Sequence, residues 1–283
     1  MAPPASPPES GARSRHWATL RVPAHDPVEV ADSGTYRFYT FDRQPLVGFL
    51  ATSLPGLGSG EELAVTVRVE PEADLVLTGQ GPTSLLRTCS TSRYSTRLEV
   101  EPRGDLTYLP WATVPFRGSR CEIETEAVVG HDGSFIGWEL LSSGRVGYGE
   151  ELELELLRSS WRVRREGPLV EDRFEICRSQ RGLLKTALAG HTHIGTMYLC
   201  ASAERLPSAR ALRRATDAPT LAVSRVSNDL IIVKALGHSA EGIETSFWPI
   251  LRLARAALGL RELPPPAVGR RWLRSGLLSI GSP

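Results

Sequence analysis

The feature that most constrains this chain is a residue period of two that dominates from about Trp17 to Gln180. Successive side chains of an extended chain point to opposite faces, so alternation of apolar with polar residues marks half-buried strands. Leu63, Val65, Val67 and Val69 alternate with Ala64, Thr66, Arg68 and Glu70, and Pro71-Glu-Ala-Asp74 then turns the chain into Leu75-Val-Leu-Thr78. Leu98 and Val100 alternate with Arg97, Glu99 and Glu101 ahead of a turn at Arg103-Gly104-Asp105. Cys121, Ile123, Thr125 and Ala127 alternate with Glu122, Glu124 and Glu126 ahead of His131-Asp132-Gly133. Leu152, Leu154 and Leu156 against Glu151, Glu153 and Glu155 predict another strand, with Arg162 and Arg164 on its antiparallel neighbour. Opposite charges facing each other across strands contribute roughly 0.2–1 kcal/mol per pair. Charged faces outward and apolar faces inward predict a mainly β fold of two stacked sheets. No fixed-period repeat and no coiled-coil heptad stands out.

After about Leu183 the pattern changes. His193 to Ala201 reads as a strand, Pro207 to Ala215 as a short helix, and Leu221 to Val226 and Asp229 to Leu236 as two strands. Ser239 is placed to cap a helix running toward Leu258, with Gly259 just beyond its end. Ile243, Phe247, Ile250, Leu251, Ala254 and Leu258 recur at helical spacing. Pro249 inside it predicts a kink or two helical pieces, since an interior proline costs about 3 kcal/mol. The expected organisation is a tail over 1–16, a β-sheet body over 17–183, a smaller α+β unit over 184–262 and a second tail over 263–283.

Composition excludes several classes. Lys plus Arg is 33 and Asp plus Glu is 32, so no global field attracts nucleic acid or an anionic membrane. No run is long and apolar enough to span a bilayer. The Pro-rich start lacks a basic and apolar signal segment, which predicts a cytoplasmic protein. Cys89, Cys121, Cys177 and Cys200 form no Cys-x-x-Cys pair and read as plain thiols.

Catalytic signatures are missing too: no phosphate-binding glycine loop followed by Lys-Ser/Thr, no nucleophile elbow and no His-Glu-x-x-His. Gly56-Leu-Gly58-Ser-Gly60 leads into a strand, without the helix N-terminus that would hold a phosphate. His191-Thr-His193 would put two imidazoles on one face of an extended chain, a candidate metal pair. No nearby Cys or carboxylate completes a ligand set, so a polar turn opening a strand is the favoured reading. The adjacent acids Glu61-Glu62, Glu150-Glu151 and Glu171-Asp172 point to opposite faces if extended, which makes them poor acid/base dyads.

Several blocks, taken in order, resemble the UreD (UreH) family. Gly56 to Leu63 resembles its glycine-rich loop, with Pro55, Ser59 and Glu61 departing from the pattern. Leu75-Val-Leu-Thr-Gly-Gln80 through Arg87 resembles its Leu-Thr-Thr-Gln segment. Leu106-Thr-Tyr-Leu-Pro110, Val114-Pro-Phe116 and Gly118-Ser-Arg120 resemble its Leu-x-Tyr-Leu-Pro and Pro-Phe blocks. Gly137-Trp-Glu139, Gly144-Arg145, Gly149-Glu150 and the stretch from Trp161 to Glu171-Asp172-Arg173 follow in order. Leu236-Gly237, and Phe247-Trp248 to Leu258-Gly259, match its C-terminal unit more loosely.

The resemblance implies a β-helix-like stack of two sheets with a few helices, acting as a scaffold and not as an enzyme. It implies a urease-maturation role in which nickel is cargo in transit and no cofactor is tightly held. The implied partners are a UreF-type helical accessory protein, a UreG-type GTPase and the urease apoprotein. Along an internal nickel passage it implies Glu61, Glu62, Glu139 and Asp172, with Arg145 and Arg173 ordering the carboxylates. Phe247, Trp248 and Trp272 are the expected partner-binding aromatics. The competing readings are a β-sandwich module binding carbohydrate or protein through Tyr108, Trp111 and Phe116, and a metal-dependent hydrolase built on His191 and His193.

Overall fold

The computed structural model describes residues 14–43 and 45–263. Among them the chain opens with β1 (Arg15–Val22), β2 (Glu29–Asp32), β3 (Tyr36–Arg43) and β4 (Leu46–Thr52). It then coils. β5 (Glu62–Val69), β6 (Asp74–Gly79) and β7 (Thr83–Leu85) form one circuit, and β8 (Ser92–Val100), β9 (Asp105–Leu109) and β10 (Thr113–Pro115) the next. β11 (Arg120–Val129) and β12 (Ser134–Ser142) begin a further circuit. Each circuit lays the chain beside itself: Glu62 pairs with Arg93, and Arg93 with Glu122, in parallel register. The repeat is roughly 30 residues, within the range of stacked-coil proteins. The expectation of no repeat is therefore corrected.

The turn joining the two sheets shows how the coil is built. Glu72, Arg103 and Asp132 sit one above another with φ of 64°, 62° and 56°. The Glu72 N–H donates to the Arg103 carbonyl at 3.3 Å, and the Arg103 N–H to that of His131 at 3.1 Å. Gly130 has no room for a side chain, since a Cβ there would lie 2.7 Å from the Pro102 nitrogen.

After the coil, β13 (Leu156–Arg164) pairs in parallel with β11, and β14 (Pro168–Cys177) closes that sheet as an antiparallel edge. α1 (Arg181–Ala187) crosses to the second sheet, which β15 (His193–Cys200) extends antiparallel to β12. α2 (Ala209–Arg214), β16 (Leu221–Ser227), β17 (Leu230–Gly237) and α3 (Ala240–Ala257) complete the described chain. The first sheet runs β14-β13-β11-β8-β5-β1-β2, and the main path of the second runs β16-β17-β15-β12-β9-β6-β4-β3. One apolar core lies between the sheets and a second lies between the second sheet and the helices.

The segment expected to be a strand over Glu151–Leu156 is irregular until Leu156. Leu152 turns to φ 53°, which breaks the extended run while Leu152 and Leu154 still bury. The acids there therefore pair elsewhere: Glu153 with Arg117 and Arg181, and Glu155 with Arg120 and Arg178. Arg162 pairs with Glu171 on β14 and Arg164 with Glu126 on β11.

α3 continues through Pro249 as one helix. Its capping is as expected, with Ser239 Oγ accepting from the Gly242 N–H at 3.0 Å. Ile243, Phe247, Ile250 and Leu251 are at most 1% exposed. Burial of such side chains contributes about 1.5–3 kcal/mol each. Together they outweigh the roughly 3 kcal/mol cost of an interior proline.

Candidate functional site

Strand register brings a row of polar residues to the inner face of the second sheet. Glu139 of β12 stands opposite Thr196 of β15, and Thr196 opposite Lys234 of β17. Side chains of equal parity on those strands, Leu141, Tyr198 and Ile232, belong to the core between the sheets, so the row points inward. From the first sheet, Ser159 and Trp161 of β13 and Asp172 of β14 face it. Trp161 and Asp172 are themselves register partners.

These groups bond across the gap. Ser159 Oγ and the Trp161 indole N–H donate to the Glu139 carboxylate. The Tyr198 hydroxyl donates to Asp172 Oδ2 at 3.0 Å, and the Lys234 ammonium donates to the same oxygen at 2.7 Å. The rings of Trp161 and Tyr198 stack with centroids 4.7 Å apart.

Burial pushes the Glu139 carboxyl up to about 7, with the negative charge of Asp172 adding to the shift. The Ser159 and Trp161 hydrogen bonds and the Lys234 charge oppose it. Burial also raises the Tyr198 phenol well above its ordinary range, so it serves as a fixed donor to Asp172. The cluster thus holds Asp172 paired with the Lys234 ammonium and, deeper, the Glu139 carboxyl poised near neutrality.

The polar line continues past Trp161, whose ring lies 6.4 Å from that of Tyr108. Tyr108, Tyr94 and Thr96 are joined by side-chain hydrogen bonds. They adjoin a cavity of about 370 Å³ whose walls include Tyr36, Tyr94, Tyr108, Thr78 and the loop residues Gly56 and Leu57. The Tyr36 hydroxyl is buried there without a hydrogen-bond partner among the described residues. A space of this volume with such polar atoms suits water.

Of the four acids expected to act together, Glu139 and Asp172 share this cluster. Glu62 starts β5 on the parity opposite to the core residues Leu63 and Val65, so it faces outward, beside Arg15 and Arg93. Glu61 precedes the strand, and its carboxylate accepts from the Gly58 N–H, closing the glycine-rich loop. The expected support by Arg145 and Arg173 is corrected. Arg145 pairs with Glu150 and lies 4.3 Å over the Phe116 ring. Arg173 pairs with Glu171 on the outer face of β14, because neighbouring strand residues point apart.

His191 stacks on His238 with centroids 4.7 Å apart and binds the Leu188 carbonyl through Nδ1. Burial, and then the neighbouring His238, lowers the basicity of His193. Among the described residues, no group of three or more His, Cys, Asp or Glu is arranged to hold a metal ion. Phe247 is fully buried and Trp248 is 8% exposed, so the partner-binding face expected there is corrected to a helix packed on the second sheet. Trp272 lies outside the described residues. Tyr108 is 8% exposed and the Trp111 indole is tied to the Gly79 carbonyl, so no open platform forms around them. Sequence reasoning missed Ser159, Trp161, Tyr198 and Lys234. A lone polar residue in an apolar strand, such as Lys234 after Leu230-Ile-Ile-Val233, was the available signal.

The family model of the UreD urease accessory protein matches residues 33–270. The chain is 28% identical to a urease accessory protein UreD of Magnetococcus marinus, in a match covering 81% of each chain. It is 30% identical to urease accessory protein UreD 1 of Methylobacterium radiotolerans, covering 95% of this chain and 98% of that one. A urease accessory protein UreD of Pseudomonas aeruginosa is 28% identical over 75% of this chain and 76% of its own.

Proposed function

The chain belongs to the UreD urease accessory protein family, and from that premise we propose that it is a non-enzymatic cytoplasmic scaffold that passes nickel toward apo-urease. In this reading it works in a complex with a UreF-type helical protein and a UreG-type GTPase, and nickel is its cargo. The supporting observation is the pair of acids, Glu139 and Asp172, held between the sheets on a polar line that continues to the cavity at the glycine-rich loop. A divalent ion moving through protein loses hydration, and carboxylates along its way lower that cost. Oxygen ligands bind nickel less firmly than imidazole or thiolate, which suits transfer better than storage.

The test is urease activation measured beside pull-down of the accessory complex. Glu139→Gln and Asp172→Asn keep shape and hydrogen bonding while removing charge. Both variants are expected to assemble normally and to activate less urease per complex. Full activation by both removes the passage from this cluster. Loss of assembly instead makes the two acids structural. The purified chain alone is expected to hydrolyse neither urea nor GTP.

A further inference from the structure

If ions pass this cluster, Lys234 stands in their way. Its side chain is 55% exposed, whereas Asp172 is 22% exposed and Glu139 lies deeper, so the ammonium occupies the outer end of the row. It reaches there from β17 of one sheet to β14 of the other, and its partner oxygen is the one held by Tyr198. A half-exposed pair of this kind contributes little to stability. A lysine ammonium is a point charge on a flexible four-carbon stem, which swings away without disturbing the strand. Tyr198 keeps Asp172 in place when it does.

We propose that Lys234 is a tethered counter-ion that occupies Asp172 between passages, must be displaced by each divalent cation, and returns to drive that cation off. This rests on the passage reading above. The physical consequence is selectivity by charge. A monovalent cation gains no more from Asp172 than the lysine already does, and it lacks the advantage of being tethered. A doubly charged ion gains more from the same carboxylate. The returning ammonium then makes residence brief.

The experiment uses the full chain and nickel ion alone as the probe, titrated calorimetrically at pH 8 and low salt, where Glu139 is ionised. Lys234→Met removes the charge and keeps the stem. It is expected to bind nickel roughly threefold to tenfold more tightly, a gain that shrinks as salt is added. Lys234→Arg keeps a cation and is expected to bind as the unaltered chain does. The gain is expected to vanish when Asp172→Asn is added to Lys234→Met. In the assembled complex, Lys234→Met is expected to activate urease more slowly, since the ion lingers. Unchanged or weaker nickel binding by Lys234→Met overturns the proposal, as does a gain that survives loss of the Asp172 charge. Failure of both Lys234→Met and Lys234→Gln to fold overturns it as well, because the lysine is then a brace. Full urease activation by Glu139→Gln and Asp172→Asn instead overturns the passage itself. If those two variants are impaired while Lys234→Met binds nickel normally, the passage stands without the gate.

Discussion

Arg255 and Asp74 are 181 residues apart in the chain, yet the guanidinium lies 3.1 Å from Asp74 Oδ2. Arg255 is 1% exposed, donates to Thr107 Oγ1 at 2.6 Å and to the Arg261 carbonyl at 2.9 Å, and so pins α3 to the coil. Burial raises the Asp74 carboxyl and the Arg255 charge opposes that rise. Removing one partner of such a pair leaves the other charge uncompensated. Arg255→Met is expected to cost about 3 kcal/mol in urea unfolding, the lower end for a buried pair because Asp74 retains some exposure. Asp74→Asn added to it is expected to restore part of the loss. Equal or greater loss in the double variant would assign the effect to packing and not to charge.

The stacked turns make a second stability prediction. A methyl group on Gly130 would meet the Pro102 nitrogen at 2.7 Å and the Glu101 carbonyl carbon at 2.9 Å, both backbone atoms with little freedom to move. Gly130→Ala is expected to destabilise by about 1–3 kcal/mol, the range for overpacking. Arg103→Gly, at φ 62°, is expected to be tolerated far better because glycine adopts that conformation freely. A thermal melt of the two variants side by side checks the order.

The coil was partly readable at these same turns. Glu70-Pro-Glu-Ala-Asp74-Leu75 is echoed by Glu101-Pro-Arg-Gly-Asp105-Leu106, and the two lie on adjacent circuits. Alternation revealed the strands because each half-buried strand carries its own period. The Ser239 cap and the apolar stripe of α3 were legible for the same local reason. What brings Lys234 to Asp172 is not local. It depends on β17 joining the second sheet through β15 while β14 closes the first, an arrangement that no spacing between the two residues reveals. The alternation at Glu151–Glu155 misled because burial of Leu152 and Leu154 needs a suitable wall, not an extended chain. Resemblance located Glu139 and Asp172 but also brought in Glu61 and Glu62, which the parity of β5 and the glycine-rich loop keep out of the cluster.

That separation is testable by function. Glu62→Gln changes a carboxylate on the outer face of β5, and Glu61→Gln keeps an oxygen able to accept from the Gly58 N–H. Both are expected to activate urease as the unaltered chain does, under conditions where Glu139→Gln and Asp172→Asn fall several-fold. A Glu62→Gln variant as impaired as Glu139→Gln would move the route to the outer face of the first sheet.

Glu139 also links function to stability through pH. Its folded-state pKa of about 7 lies above the 4.5 of a free glutamate, chiefly because burial disfavours the charged form. The folded chain therefore holds this proton more tightly than the unfolded chain does. The resulting stabilisation is fully present below pH 4.5, declines as pH rises, and is lost above about pH 7. A shift of this size corresponds to roughly 3 kcal/mol, at 1.36 kcal/mol per unit. Glutamine stays neutral and can still accept the Ser159 hydrogen bond through its carbonyl oxygen. Glu139→Gln is thus expected to be more stable than the unaltered chain at pH 8, by up to about 3 kcal/mol, and to match it near pH 4.5. Urea unfolding of both proteins across that range measures the difference directly. Parallel curves would mean that Glu139 titrates like a solvated carboxylate, and the inter-sheet cluster would then be open to water at Glu139. A variant that gains stability at pH 8 while losing urease activation would show that the buried charge is kept for its effect on the cargo, against the interest of the fold.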